Sequence, residues 1–290
     1  MATKGGQNAA PATTLEGQRS PCSATRIWLW LTGPIAFLVT IAAGVGFFID
    51  GVYRDAPVNA AQAVGQDLIT LLVALPVLVV SAILALRGSM RAHLVWLGAL
   101  GYLVYTYASF ALAIEFNSLF LVYVALLGLS LYTLIGGLAT TEFAGMKAHF
   151  SRGTPVKAVG IFLAVVAVLF YFMWLSEDIP ALLAGEVPQG VIEAEAPTDV
   201  VHVLDMALLL PANVLTAIWL WRRRALGYVL AGTLLSFLSL VVLAVMSMMV
   251  FQVLYGVAAV VEALGIAVVF GVVFAVSVGM LVWHLSALEE

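Results

Sequence analysis

Cysteine is nearly missing from this chain: Cys22 is the single one among 290 residues. No intrachain disulfide and no CxxC redox pair can form, which excludes thiol-disulfide membrane oxidoreductases. Charge is scarce as well. Asp, Glu, Lys and Arg make up 10% of the residues against a hydrophobic share of 63%, with a mean hydropathy of +1.11. That balance excludes a soluble globular protein and makes the lipid bilayer the chain's first partner. No basic patch is present, so nucleic acid is excluded as a partner. The stretches between apolar runs hold no Gly-rich phosphate loop or dinucleotide fingerprint and are too short for such a domain. No serine pattern of a lipid hydrolase or a rhomboid-like protease stands out. Of the four histidines, His93, His149 and His284 fall at one end of the apolar runs and His202 at the other, which argues against a bis-histidine haem.

Long apolar runs are what the chain has instead. Eight are expected as spans, at roughly 27–49, 64–86, 92–113, 118–138, 157–176, 200–221, 225–250 and 259–284. Most run continuously, so they are helices rather than the alternating strands of a membrane barrel. The first run is longer than a signal-peptide core and no small-residue cleavage site follows it. The expected fold class is therefore an all-α integral membrane protein of eight transmembrane helices. Residues 1–25 are small and polar and are predicted to be a disordered cytoplasmic tail.

Orientation follows from the loops. Eleven of the twelve Lys and Arg residues, all but Arg54, fall on one side of the predicted spans. The positive-inside rule makes that side cytoplasmic, with both termini inside a cytoplasmic (inner) membrane. Most acidic residues collect on the opposite side. The loop at about 177–199 holds Glu177, Asp178, Glu186, Glu193, Glu195 and Asp199 and no basic residue. Its Pro180, Pro188 and Pro197 are expected to break any helix, and Thr198 is the expected N-cap of the next one.

Two segments resemble each other. Asp67–Arg87 reads DLITLLVALPVLVVSAILALR, and His202–Arg222 reads HVLDMALLLPANVLTAIWLWR. A shift of 135 positions superposes Leu75-Pro76 on Leu210-Pro211, Ser81 on Thr216 and Arg87 on Arg222. Apolar matches are cheap here, but the Leu-Pro pair, the hydroxyl and the arginine are less so. The duplication predicts two parallel four-helix repeats (4+4), at 26–138 and 157–290, joined by a cytoplasmic linker at 139–156.

The second copy carries His202, Asp205, Asn213 and Thr216, which fall within about 80° on an uninterrupted helix. A polar stripe on a spanning helix turns toward the bundle interior or a water-filled cavity. With the copies near the repeat axis, Asp67 and Thr70 are expected to face His202 and Asp205 close to the outer surface. Tyr102, Tyr105 and Ser109 share a face of the third span, either looking inward or packing. Met246, Met248 and Met249 read as packing residues, and Asn117 and Gln252 as loop hydrogen-bonding residues.

Four readings compete for the polar cluster. A small-molecule or ion transporter would use Asp67, Thr70, His202, Asp205, Asn213 and Thr216 for contact, with Pro76 and Pro211 as kinks or gates. A divalent metal site, in a metal-dependent membrane enzyme, would draw on His202, Asp205, Asp67, Glu115 and Glu262. A metal-independent enzyme would use Asp or His as general base. A scaffold or sensor would use the same residues only to pin helices together. Transport without a resident cofactor is the preferred expectation.

Overall fold

The computed structural model describes residues 26–289, and the predicted tail 1–25, with Cys22, lies outside them. Eight helices are long and apolar enough to cross a membrane, so this is a multi-pass membrane protein with lipid as its surrounding solvent. They are α1 (Arg26–Phe48), α2 (Pro57–Leu86), α3 (Met90–Ala113), α4 (Phe120–Ala139), α5 (Val156–Ala184), α6 (Val200–Trp221), α7 (Ala225–Leu254) and α8 (Ala263–Ser286). Helix is what an apolar run must adopt in lipid, where each backbone N–H and C=O needs a partner within the chain.

Two helices are longer than their apolar cores predict. α2 begins at Pro57 rather than near 64, since proline at the first helical position gives up only an N–H that has no intrahelical partner. α5 runs on to Ala184 through Pro180, which the sequence reading made a breaker. Pro180 deprives the Ser176 carbonyl of its donor, but Ser176 is exposed, so water can supply one. Gly185, at φ 70°, closes the helix in the left-handed conformation that glycine adopts without strain. The N-cap of α6 is Asp199, not Thr198: its carboxylate accepts from the N–H groups of Val201 at 2.8 Å and His202 at 3.0 Å.

α3 and α7 form the centre. α7 packs against α2, α3, α6 and α8, while α3 also packs against α4 and the second half of α2. Glycine sets both close approaches. A Cβ on Gly98 of α3 would lie 2.5 Å from the Thr233 carbonyl oxygen of α7. A Cβ on Gly65 of α2 would lie 2.7 Å from the Met248 Cα. α1 covers α2 and α4, α5 packs on α6, and α8 leans mainly on α7. The outward side chains of α8, such as Leu264, Val268 and Val272, are exposed, as a lipid-facing surface requires.

Both α2 and α6 depart from α-helical winding at one place, with π-turns at Thr70–Ala74 and Asp205–Leu209. Each closes with an i→i+5 bond, Leu75 N–H to Thr70 C=O and Leu210 N–H to Asp205 C=O, and each is followed at once by proline. Proline cannot donate the next bond of that ladder, which orphans the carbonyls of Leu71 and Met206. In α6 the Tyr171 hydroxyl donates to the Met206 carbonyl at 3.0 Å and so replaces the lost donor.

At the end of the bundle where basic residues collect, the predicted linker is folded. It holds a short helix, Phe143–Ala148, and pairs with the chain's last described residues. Ser151 N–H donates to the Ala287 carbonyl at 2.8 Å and Glu289 N–H to that of His149 at 2.8 Å.

Candidate functional site

The opposite, acidic end of the bundle contains a cavity of about 470 Å³. Residues from α2, α3, α5, α6, α7 and α8 line it, and residues 190–199 of the connection between α5 and α6 border it. That connection is tied down at two points. Asn59 of α2 donates its amide to the Ala194 carbonyl at 3.0 Å, and Glu177 of α5 accepts the Gly190 N–H at 3.0 Å.

Among the described residues, Asp205 is the one ionisable group on the cavity wall that is almost fully buried, at 4% exposure. A carboxylate withdrawn from water is costly unless hydrogen-bonded. The Tyr105 hydroxyl of α3 donates to its Oδ1 at 3.0 Å, and the Trp174 indole N–H of α5 donates to its Oδ2 at 2.9 Å. Both oxygens thus accept, and each retains a further lone pair for a ligand. His202, one turn earlier, stacks on Trp174 with ring centroids 4.2 Å apart. Its Nδ1 lies 3.1 Å from Asp178 Oδ1 and its Nε2 lies 3.6 Å from Asp199 Oδ2. Continuation of α5 beyond its expected end near 176 makes this possible, because Trp174 and Asp178, four residues apart, then share a face.

Asp67 does not line this cavity. It is 1% exposed and accepts a hydrogen bond from the Tyr53 hydroxyl, which in turn lies 3.5 Å from that of Tyr123. Gly46 of α1 makes the room, since a Cβ there would collide with the Asp67 carboxylate. Neighbouring residues are satisfied from α3: Gln66 donates to Thr106 at 2.7 Å, and Thr70 pairs with Tyr102 at 2.8 Å. Tyr53, in the connection between α1 and α2, is pushed well above the ordinary tyrosine range, first by burial and second by the charge of Asp67. It therefore stays a protonated donor.

That shift has a testable sign. Because the folded state holds the Tyr53 proton more tightly than the unfolded state, its contribution is intact below about pH 10 and falls as pH rises above it. Tyr53→Phe is expected to lower stability by roughly 1–3 kcal/mol at neutral pH, having left a buried carboxylate short of a donor. The melting-temperature gap between wild type and variant should then narrow above about pH 10; a gap that stays constant would refute this account.

Set against the sequence reading, the polar residues divide. Asp205 lines the cavity; Asp67, Thr70 and His202 are engaged with the partners just described. Asn213 and Thr216 are fully buried on α6, and neither side chain has a hydrogen-bond partner within the protein. The predicted single stripe assumed unbroken α-helix. An i→i+5 turn holds one residue more than an α-turn, which sets residues beyond it back by roughly 100°. With that set-back Asn213 stays within about 20° of Asp205 while Thr216 turns roughly 80° from it, so the stripe widens beyond the π-turn of α6.

Of the five residues read as metal ligands, the four with described side chains do not gather into a group of three or more. Among the described residues, no group of three or more His, Cys, Asp or Glu could hold a metal ion, and the Glu262 side chain lies outside them. Glu115 lies in the connection between α3 and α4, where its backbone N–H donates to Asp55 at 2.7 Å. Several cavity residues escaped the sequence reading, among them Asn59, Gln62, Gln66 and Trp174. A polar face on residues 59–66 was the available signal, masked because the predicted second span began near 64. Tyr105 and Ser109, singled out as a shared face, do line the cavity, together with Met248, Met249 and Gln252. No protein-family model, curated protein or solved structure matches this chain.

Proposed function

We propose that this protein is a small-molecule or ion transporter, permease-like, with its binding site in the cavity around Asp205. The observation that carries this reading is a cavity of ligand size at one end of the bundle, walled by spanning helices, with one buried carboxylate on it. Transport also needs helices that yield. α2 and α6 both border the cavity, and both interrupt their hydrogen-bond ladder with a π-turn and a proline. Pro76 and Pro211 act as the hinges, and the tied connection at 190–199 is the outer cover.

The same reading takes the chain as two parallel four-helix repeats. Three matches support it: the two π-turns lie 135 residues apart, the α3–α4 packing has its counterpart in α7–α8, and Asn59 touches its shifted equivalent, Ala194. The basic end faces the cytoplasm in this reading, with both termini inside a cytoplasmic membrane and the cavity toward the outer side.

Thiol accessibility tests transport without knowing the substrate. In a Cys22→Ser background, Ser109→Cys on the cavity wall should react with a membrane-impermeant maleimide from either side of sealed vesicles. Reaction from one side only would overturn alternating access and leave a fixed receptor or scaffold.

A further inference from the structure

We infer that the cavity selects an organic cation with an apolar, aromatic-sized body; this rests on the transport reading for the site's purpose but not for its chemistry. Among the described residues, the Asp, Glu, Lys, Arg and His side chains on the cavity wall are Glu193, Asp199 and Asp205, so all of its charge-bearing groups of these types are acidic. Two of these, Glu193 and Asp199, lie in the bordering connection, where they draw cations toward the entrance. Asp205 is the counter-ion at depth, held in place by Tyr105 and Trp174 with lone pairs still free.

The rest of the wall would not suit a small inorganic ion. An alkali or divalent cation gives up its water shell only to several converging oxygen ligands, and no group of three His, Cys, Asp or Glu converges among the described residues. Instead, aromatic rings succeed one another from the carboxylate into the membrane. Trp174 meets Phe170 at 6.0 Å between centroids, and Phe170 meets Phe270 at 6.1 Å. Such rings attract a soft, weakly hydrated cation through their faces and bury its hydrocarbon. An anion would meet three carboxylates and no compensating base. A neutral apolar molecule would leave Asp205 desolvated and without a counter-charge. A monovalent organic cation offers the charge to Asp205 and the body to the rings.

The test uses the full-length protein in nanodiscs and tetraphenylphosphonium, whose charge does not change with pH. Equilibrium dialysis should give saturable binding, competed poorly by neutral triphenylphosphine oxide and by tetraphenylborate. Asp205→Asn should weaken it roughly a thousandfold, the scale expected for one charge pair at partial burial. Gln62→Lys, which adds a positive charge to the wall and keeps Asp205, should weaken it roughly tenfold and guards against a folding artefact of the first variant. Absence of saturable binding, equal competition by the neutral or anionic analogue, or unchanged affinity in both variants would overturn the inference. Cation binding with one-sided maleimide labelling would keep this ligand class and discard transport. Two-sided labelling without cation binding would do the reverse.

Discussion

Under the proposed transport function, Asp205→Asn is expected to lower flux by two orders of magnitude or more, while the melting temperature barely moves. Both halves of that expectation come from the same two hydrogen bonds. Asn is nearly isosteric with Asp, and its Oδ1 can accept from the Trp174 indole as the carboxylate does. Its amide group can then donate to the Tyr105 oxygen, because a tyrosine hydroxyl accepts as well as donates. The network survives with reversed polarity at one bond, so the stability cost is about 1 kcal/mol or less. What vanishes is the one deeply buried charge facing the cavity. A charge pair at partial burial is worth on the order of 4 kcal/mol, far more than a neutral hydrogen bond in the same place. Flux in proteoliposomes and thermal unfolding in detergent, measured on one preparation, separate the two effects. A variant that loses much of its melting temperature, with flux falling only in proportion, would make Asp205 a structural residue.

The second large effect is expected at Gly98, far from any ligand chemistry. Gly98→Ala should destabilise the protein by roughly 3 kcal/mol, at the upper end of what overpacking usually costs. The added methyl would lie 2.5 Å from the Thr233 carbonyl oxygen and also against Ser236. Backbone atoms of a packed helix cannot rotate away as a flexible side chain can, so α3 and α7 must separate. In lipid, close packing of small residues is itself a main source of helix association, so separation loses much of the contact. Gly101, one turn along, makes the control: its Cβ would meet only Phe237 at an ordinary 3.5 Å, and Gly101→Ala should cost little. Equal melting temperatures for the two variants would show that the α3–α7 contact is not closely packed.

The residues on which each expectation rests differ in how visible they are from sequence. Asp205 stands out as an acidic residue inside an apolar run, and burial follows from the need to keep charge from lipid. Tyr105 and Ser109 could be placed on one inward face by helical arithmetic, because α3 is unbroken over Met90–Ala113. On α6 the same arithmetic shifts, since the period changes at Asp205–Leu209: Asn213 keeps the face of Asp205 and Thr216 turns partly from it. The contact of His202 with Asp178 depends on α5 running on past its apolar run near 176, into residues that the sequence reading assigned to the acidic loop.

Composition and hydropathy alone determined a bundle of eight apolar helices, because a backbone in lipid has few ways to satisfy its hydrogen bonds. The repeated Leu-Pro pairs likewise marked the two places where the helical ladder gives way. Which polar residues meet was decided only by the tertiary structure. Asp67 and Asp205 belong to helices that share a π-turn followed by proline, yet one is held by Tyr53 beside α1 and the other by Tyr105 and Trp174 at a cavity. Partners of that kind lie from 14 to 100 positions away along the chain, and no local pattern encodes them. They are selected by how closely helices approach, and that depends on where glycines such as Gly46, Gly65 and Gly98 leave room.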